Sequence, residues 1–278
     1  MCRLFGFRSV IQSQVHRSLL EADNALCSLS EQHPDGWGVA YYVDGTPHLA
    51  RSARTALSDR VFQRVSGVVA SETVLAHVRK ATQGNLSVLN CHPFQHGRWV
   101  FAHNGDVPSF GEQRAALLDA VLPRLRRFIL GDTDSEVLFF LLLTRLAQRG
   151  KLSEPFSVGV VMEVVRETVA WVRSACDRTD LVPARSLLTF LLTDGATMVG
   201  VQGGKELHYS TYKRRCPDRD VCASLSAACE APTKDGFVNH LLFSSEPLSG
   251  DNVWHAMDEG EVVAVDANMC LHHFRDAG

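Results

Sequence analysis

The sequence of 278 residues predicts an α+β fold in which helices flank two antiparallel sheets within one unit. Short stretches rich in β-branched and aromatic residues occupy the beginning and the end of the chain, and leucines and valines at helical spacing occupy the middle. Pairs of turn-forming residues interrupt both strand-rich blocks, which favours antiparallel pairing of neighbouring strands.

The first strand-rich block contains four predicted strands, in which apolar residues alternate or run together. These strands cover 4–10, 37–43, 73–78 and 99–103. Asp44 and Gly45 follow the second strand, and glycine tolerates the positive φ that a two-residue hairpin turn requires. The second strand is therefore predicted to pair with the segment that follows this turn.

Three helices are predicted in the middle of the chain, where apolar residues recur at helical spacing. They cover 112–128, 134–149 and 157–176, and Pro123 interrupts the first of them. Asp134 and Ser135 are candidate N-caps of the second helix, because short polar side chains can accept hydrogen bonds from its first N–H groups.

The second strand-rich block begins with three strand candidates within 187–212. The turn pairs that separate them are Asp194-Gly195 and Gly203-Gly204. The segments 240–248 and 261–274 supply the remaining strands. The stretch 217–236 is predicted to be a long surface loop. Because no low-complexity linker divides the chain, a single domain over 1–278 is expected.

The composition argues against several functional classes. With 45% hydrophobic and 21% charged residues and a formal net charge of -3, neither disorder nor a general attraction to nucleic acid is expected. The eight cysteines form no CxxC pairs, which is typical of a reducing compartment. The most apolar run, 137–143, is far shorter than the roughly 20 residues of a membrane span, and polar residues interrupt the N-terminus. A cytoplasmic protein without nucleic-acid or membrane partners is expected.

Cysteine occupies the second position, and removal of Met1 would place it at the N-terminus. Its free α-amine, with an unperturbed pKa of about 7.7, could then take the proton of its own thiol. Since a free thiol with a pKa of about 8.5 is mostly protonated at neutral pH, this proton transfer would activate Cys2 as a nucleophile. Position alone also allows Cys2 to be an ordinary buried cysteine.

Three other segments carry residues that would complement such a nucleophile. Arg79 ends a predicted strand, Asn104-Gly105 ends another, and Asp134 stands at a predicted helix start. Taken singly, each has a simpler interpretation: a surface cation for Arg79, a hairpin turn for Asn104-Gly105 and a helix cap for Asp134. Their joint occurrence with Cys2 favours an active site.

The order of an N-terminal cysteine, HVRKAT, CHPF, HNG and TDSE resembles that of the class II glutamine amidotransferases, which are N-terminal-nucleophile enzymes. HPDGWGVAYY and the later SEPL segment resemble a stand-alone branch of this family. That branch includes YafJ-like proteins, the γ-glutamyl hydrolase of ergothioneine synthesis and a yeast glutathione-degrading amidotransferase subunit. The resemblance covers essentially the whole chain.

This resemblance implies a four-layer αββα sandwich, the N-terminal-nucleophile hydrolase fold, and attack of the Cys2 thiol on a γ-glutamyl amide. Arg79 would bind the substrate α-carboxylate with Thr82 beside it, and Asp134 would bind the α-ammonium. Asn104 and Gly105 would donate hydrogen bonds to the oxyanion.

Two departures from the larger synthases of the family stand out. Lys80 and Gln83 occupy HVRKATQG where those enzymes have HTRWATHG, so the wall of the pocket is expected to differ. No appended synthase domain is expected after the amidotransferase fold.

The expected function is hydrolysis of a γ-glutamyl amide, glutamine or a related compound, through a γ-glutamyl thioester on Cys2. One alternative is a hydrolase of γ-glutamyl peptides or conjugates. The other is a glutamine-binding, ammonia-donating subunit of a two-chain synthase, whose partner would be a separate acceptor or synthase chain.

No cofactor or metal is expected. Cys91, His92, His96 and His103 lie close together in sequence, but they lack the two-pair spacing of structural zinc sites. His103 is expected to support the Asn-Gly segment that follows it.

Overall fold

The computed structural model describes residues 2–14, 19, 33–178, 185–217 and 219–275. In this part of the chain the strands are β1 (Arg3–Gln14), β2 (Trp37–Val43), β3 (Thr46–Ser52), β4 (Ala70–Val78), β5 (Phe94–His96), β6 (Trp99–Asp106), β7 (Leu187–Thr193), β8 (Met198–Val201), β9 (His208–Ser210), β10 (His240–Ser244), β11 (His255–Ala256), β12 (Val262–Val265) and β13 (Leu271–Phe274). The α-helices are α1 (Arg60–Val68), α2 (Phe110–Asp119), α3 (Pro123–Arg126), α4 (Asp134–Arg149) and α5 (Val158–Cys176).

The strands form two antiparallel sheets. The first has the order β11-β9-β10-β1-β4-β2-β3, and the second has the order β13-β12-β8-β7-β6-β5. In the first sheet β1 lies between β10 and β4, so the strand that follows Cys2 is central. In the second sheet β6 pairs with β7 from Val100 to Asp106, with Asn104 opposite Thr189.

The two sheets pack face to face through a shared apolar layer. Leu75 and Phe243 of the first sheet lie in one buried cluster with Leu191, Met198 and Val263 of the second. A methyl group added to Gly200 would lie only 2.5 Å from the Phe243 ring, so the sheets interdigitate closely at this point.

Helices cover the outer faces of both sheets. On the first sheet, Phe62 of α1 packs edge-on against Trp37 with 5.0 Å between ring centroids. On the second sheet, Phe139 of α4 stacks on Phe101 of β6 at 5.4 Å. The four layers are therefore helix, sheet, sheet and helix, which confirms the predicted αββα sandwich.

The predicted elements agree with the structure in most places. The strand at 37–43 and the helix at 134–149 have the predicted bounds, and Pro123 starts α3 after the break that follows α2. The Asp44-Gly45 hairpin is confirmed, because both residues have positive φ, 50° and 74°, and β2 pairs with β3 around them.

Three details differ from the sequence-based expectations. Helix α1 is not among the predicted helices although Val61, Phe62 and Val65 recur at helical spacing, because RVFQRVSGV has only nine residues. The three strand candidates within 187–212 are divided between the sheets: β7 and β8 pair in the second sheet, whereas β9 pairs with β10 in the first. The N-cap of α4 is Thr133, whose side chain accepts from the Glu136 N–H, so Asp134 and Ser135 are the first two helical residues.

The segment 217–236 contains turns and one short 3₁₀ helix, Ala227–Cys229, over the residues described there. Among the helices of the described ranges, none combines the length and the hydropathy needed to cross a bilayer.

Candidate active site

Cys2 lies immediately before β1, beside the end of the neighbouring strand β4. Its Sγ accepts a hydrogen bond from the Lys80 N–H at 3.2 Å and lies 3.3 Å from the Lys80 carbonyl oxygen, to which the thiol can donate. Burial raises the pKa of the Cys2 thiol, and the hydrogen bond with the Lys80 backbone opposes this effect. The thiol is therefore mostly protonated near neutral pH and requires a base for activation.

Arg79 directly follows β4 and is buried. Its backbone N–H donates to the Gly36 carbonyl at 2.7 Å, and its own carbonyl accepts from Asp35 at 3.2 Å. The guanidinium donates to the carbonyls of Gln83 and Asn85, at 2.7 and 3.3 Å. The charge of Arg79 lowers the pKa of Cys2, so this cation lies within electrostatic reach of the thiol.

Asn104 and Gly105 lie inside β6, opposite Thr189 and Leu188 of β7, and do not form a hairpin turn. Asn104 is buried. A Cβ on Gly105 would lie 1.8 Å from the Leu187 carbonyl oxygen and 2.3 Å from Nε2 of His103. Only glycine fits at this position without moving β6 away from β7.

Asp134 is buried at the start of α4. Its two carboxylate oxygens accept from the backbone N–H groups of Val107 and Ser135, each at 2.8 Å. Burial raises the pKa of this carboxyl despite those donors. The negative charge of Asp134 raises the pKa of Cys2, so the carboxylate also lies within electrostatic reach of the thiol.

His103 connects the helix α4 to the strand β6. Its Nε2 lies 2.9 Å from the Leu187 carbonyl oxygen, and its Nδ1 lies 2.9 Å from Oγ of Ser135. Because a carbonyl only accepts, Nε2 carries the proton, and in a neutral ring Nδ1 accepts from the Ser135 hydroxyl. Burial lowers the pKa of His103, which favours this neutral form.

A comparison with protein-family models decides the family of the chain. The model described as "Glutamine amidotransferases class-II" matches residues 1–276. The chain belongs to the class II glutamine amidotransferases. As members of this family are enzymes or subunits of enzymes, the chain is one or the other.

Several relatives of this class II amidotransferase are similar over most of their length. The Saccharomyces cerevisiae protein DUG3, described as a probable glutamine amidotransferase, is 27% identical over 98% of this chain and 84% of its own. YafJ of Escherichia coli is 27% identical over 82% of this chain and 84% of its own. A γ-glutamyl-hercynylcysteine sulfoxide hydrolase of Mycobacterium tuberculosis is 40% identical, but over only 26% of this chain and 32% of its own.

Solved structures share the fold. A class-II domain protein from Silicibacter pomeroyi superimposes with a TM-score of 0.63 at 22% identity, covering 100% of both chains. The phosphoribosylpyrophosphate amidotransferase of Bacillus subtilis superimposes with a TM-score of 0.61 at 15% identity, covering 99% of this chain and 49% of that one. The αββα sandwich of the amidotransferase is thus the fold of these proteins.

The predicted site residues of this amidotransferase lie on both sheets, and Arg79 and Asp134 are within electrostatic reach of Cys2. Cys2 and Arg79 come from the first sheet, and Asn104, Gly105 and Asp134 come from the second sheet and its covering helix. Thr82 is different, because it lies exposed in the bend after Arg79 and forms no hydrogen bond with another described residue.

Two residues with roles in the site were not predicted from the sequence. Ser135 contacts both His103 and Asp134: its Oγ lies 2.9 Å from Nδ1 of His103 and 3.3 Å from the Asp134 carboxylate, and its one proton can be donated to only one of these two acceptors at a time. Asp35 accepts from the Ala81 N–H at 2.8 Å and so fixes the segment that carries Arg79. The TDSE and DGWG segments contain these residues, but sequence spacing does not show which atoms they contact.

His92 and His96 pack against other rings. His92 lies against His77, with 4.3 Å between ring centroids, and His96 packs on Phe128 at 4.8 Å. Over the described ranges, no three His, Cys, Asp or Glu side chains are arranged to hold a metal ion.

Proposed function

We propose that this chain hydrolyses a γ-glutamyl amide, glutamine or a related compound, through a γ-glutamyl thioester on Cys2. The observation that carries this proposal is the position of Cys2. Its Sγ accepts a hydrogen bond from the Lys80 backbone, and the opposite charges of Arg79 and Asp134 both affect the pKa of its thiol. A γ-glutamyl group carries one carboxylate and one ammonium, so this pair of charges matches its two ends.

The base in this mechanism is the α-amine of Cys2 after removal of Met1. A half-buried, protonated thiol needs a proton acceptor, and an α-amine with an unperturbed pKa of about 7.7 is partly neutral at pH 7. The amine takes the thiol proton as Sγ attacks the δ-carbonyl carbon, and it later protonates the leaving amine.

Arg79 and Asp134 bind the substrate. The guanidinium of Arg79 would form two parallel hydrogen bonds with the α-carboxylate, assisted by the hydroxyl of Thr82. The buried carboxylate of Asp134 would pair with the α-ammonium. These contacts hold the δ-carbonyl at Cys2.

Asn104 and Gly105 form the proposed oxyanion hole. The side-chain amide of Asn104 and the backbone N–H of Gly105 would donate to the oxygen of the tetrahedral intermediate. Loss of one such donor costs on the order of 100- to 1,000-fold in kcat. The intermediate collapses to the thioester, the amine leaves, and water then releases glutamate and regenerates the thiol.

Hydrolysis of a γ-glutamyl peptide or conjugate is a second candidate within the same mechanism. It is supported by the partial similarity to the γ-glutamyl-hercynylcysteine sulfoxide hydrolase. It is also supported by the exposed Lys80, which stands where the larger synthases have tryptophan and leaves the wall beside Cys2 more polar.

An ammonia-donating subunit of a two-chain synthase is the remaining candidate. It predicts tight glutamine binding with negligible turnover by the isolated chain. The proposed nucleophile and oxyanion donors favour turnover by the isolated chain over a module that only binds glutamine, because binding alone needs neither.

The test measures glutamate release by the purified protein in three reactions: with glutamine, with γ-glutamylcysteine conjugates and without a substrate. Glutamate release from either substrate supports the proposal if Cys2→Ala abolishes it and Cys2→Ser nearly abolishes it. The substrate that is hydrolysed faster decides between the first two candidates. Equal rates for the wild type and Cys2→Ala would refute the thioester mechanism. Tight glutamine binding without release from either substrate would favour the synthase subunit.

A further inference from the structure

The backbone of Lys80, the residue that follows Arg79, contacts the proposed nucleophile through two successive peptide groups. Lys80 presents both its N–H and its C=O to Sγ of Cys2, at 3.2 and 3.3 Å. A donor that points at sulfur stabilises the thiolate more than the thiol, because the hydrogen bond is stronger when the acceptor is charged.

The DGWG segment forms hydrogen bonds with the backbone on both sides of Lys80. Before Lys80, the backbones of Asp35, Gly36 and Arg79 exchange two hydrogen bonds, at 3.2 and 2.7 Å. After Lys80, the Asp35 carboxylate accepts from the Ala81 N–H at 2.8 Å. The position of the Lys80 N–H is therefore set by Asp35 and its neighbour.

Gly36 allows this arrangement. Its φ of 134° is unfavourable for other residues, and a Cβ there would lie 2.6 Å from Sγ of Cys91 and 2.9 Å from the Ser52 carbonyl oxygen. Gly36 thus has a backbone conformation that other residues rarely adopt, and its carbonyl oxygen accepts from the Arg79 N–H just after β4.

We infer that the backbone N–H of Lys80 is a catalytic group that stabilises the Cys2 thiolate, and that Asp35 is the positioning residue for it. The inference rests on the proposed role of Cys2 as the nucleophile. The other charged groups that act on Cys2 are the N-terminal amine, Arg79, after β4, and Asp134, at the start of α4. Arg79 keeps its backbone hydrogen bonds with Asp35 and Gly36 when the Asp35 side chain is changed, and Asp134 is held by the N–H groups of Val107 and Ser135.

The experiment is alkylation of Cys2 by iodoacetamide in the full chain, followed by mass spectrometry of the Cys2 peptide across a pH series. The thiolate displaces iodide and forms a thioether, and the thiol proton passes to the solvent. Its rate therefore reports the thiolate population.

Asp35→Ala and Asp35→Asn form the matched pair of variants. Both lose the negative charge, but the asparagine keeps an oxygen that can accept from the Ala81 N–H. We expect Asp35→Ala to raise the apparent thiol pKa by about one unit and to slow alkylation at pH 7 about tenfold. We expect Asp35→Asn to stay within about twofold of the wild type. Equal rates for all three proteins would overturn the inference, as would equal slowing in both variants.

If Asp35→Ala does not fold, the wild type alone still tests the inference. In ¹H–¹⁵N NMR spectra recorded across the pH series, the Lys80 amide resonance should shift with the pKa of the Cys2 thiol, and this shift should be absent in Cys2→Ala. A Lys80 resonance that does not follow the ionisation of Cys2 would overturn it.

The outcome is separable from that of the proposed function. Alkylation needs no γ-glutamyl substrate, so slowed alkylation in Asp35→Ala without glutamate release in the wild type would support the role of Lys80 and refute the proposed hydrolysis. Glutamate release with unchanged alkylation would do the reverse.

Discussion

The buried carboxyl of Asp134 shows how single residues in this site depend on their surroundings. It receives two backbone N–H donors and lies near a neutral histidine across the Ser135 hydroxyl. Burial nevertheless raises its pKa. Only the ionised carboxylate pairs with a substrate ammonium. Because the pKa of Asp134 is raised, substrate binding should weaken on acidification at a higher pH than it would with an exposed aspartate.

The first prediction concerns the pH dependence of glutamine binding by Cys2→Ala, which should bind without turnover. The dissociation constant should increase as the pH falls through the raised pKa of Asp134, because protonation removes the charge that pairs with the α-ammonium. Glutamine itself keeps both of its charges in this range. Isothermal titration calorimetry across the acidic range measures this dependence.

The control is Asp134→Asn in the same Cys2→Ala background. Its affinity should be at least about 30-fold weaker at neutral pH, which corresponds to about 2 kcal/mol for removing one partner of a buried charge pair. Its dissociation constant should also lose the acidic pH dependence. A dissociation constant of the Asp134-containing protein that does not change on acidification would contradict this role.

At the level of the elements, the periodic and turn-bounded segments could be predicted from the sequence. Helix α4 and the β2–β3 hairpin depend on local patterns: apolar residues at helical spacing, and an Asp-Gly pair with positive φ. Helix α1 also has apolar residues at helical spacing, at Val61, Phe62 and Val65, but it has only nine residues, and periodicity alone does not distinguish a helix from a strand in so short a segment.

The Asn104-Gly105 pair illustrates the limit of local patterns. Asn-Gly usually forms a hairpin turn, but here the pair continues β6. Tertiary packing decides this, because the glycine is required by the close approach of Leu187 and His103. Only the combination of the motif with Cys2, Arg79 and Asp134 indicated a site at this position.

The second prediction concerns the contact between β6 and β7. Gly105→Ala should lower kcat for glutamate release by at least about 100-fold, as expected when an oxyanion donor is displaced. It should also lower the melting temperature, since the added methyl would overlap the Leu187 carbonyl, 1.8 Å away. Steady-state kinetics and thermal unfolding measure the two effects.

Gly111→Ala is the matched control, because a Cβ at Gly111 of α2 meets no atom within 4 Å. At this second position of the helix, where φ is not positive, the change should raise stability slightly, by about 0.4–1 kcal/mol, because alanine lowers the entropy of the unfolded chain, and it should leave kcat unchanged. Wild-type kinetics in Gly105→Ala would show that this backbone position is not part of the active site.

At the level of the whole molecule, the site depends on the way the two sheets meet. Cys2 precedes β1 and Arg79 follows β4, two adjacent strands of one sheet, whereas Asn104 lies in the other sheet and Asp134 in its helix layer. Their order along the chain does not reveal this convergence. The resemblance to a known family could reveal it, because its motifs recur in the same order.

The third prediction tests the packing between the sheets. Gly200→Ala places a methyl 2.5 Å from the Phe243 ring and should cost about 1–3 kcal/mol of unfolding free energy through overpacking. The double variant Gly200→Ala, Phe243→Leu should be more stable than the sum of the single changes predicts, since the smaller side chain leaves room for the methyl. Urea unfolding of the four proteins measures this coupling, and additive losses would contradict the contact.

The central claim is that Cys2, freed of Met1, is the nucleophile for a γ-glutamyl carbonyl. The most direct measurement is the mass of the N-terminal peptide after incubation with the glutamine analogue 6-diazo-5-oxo-L-norleucine. We predict a peptide that begins at Cys2 and carries one covalent adduct on that residue, formed with loss of nitrogen gas, and no adduct in Cys2→Ala. A wild-type peptide that retains Met1, or one that begins at Cys2 and stays unmodified, would contradict the account.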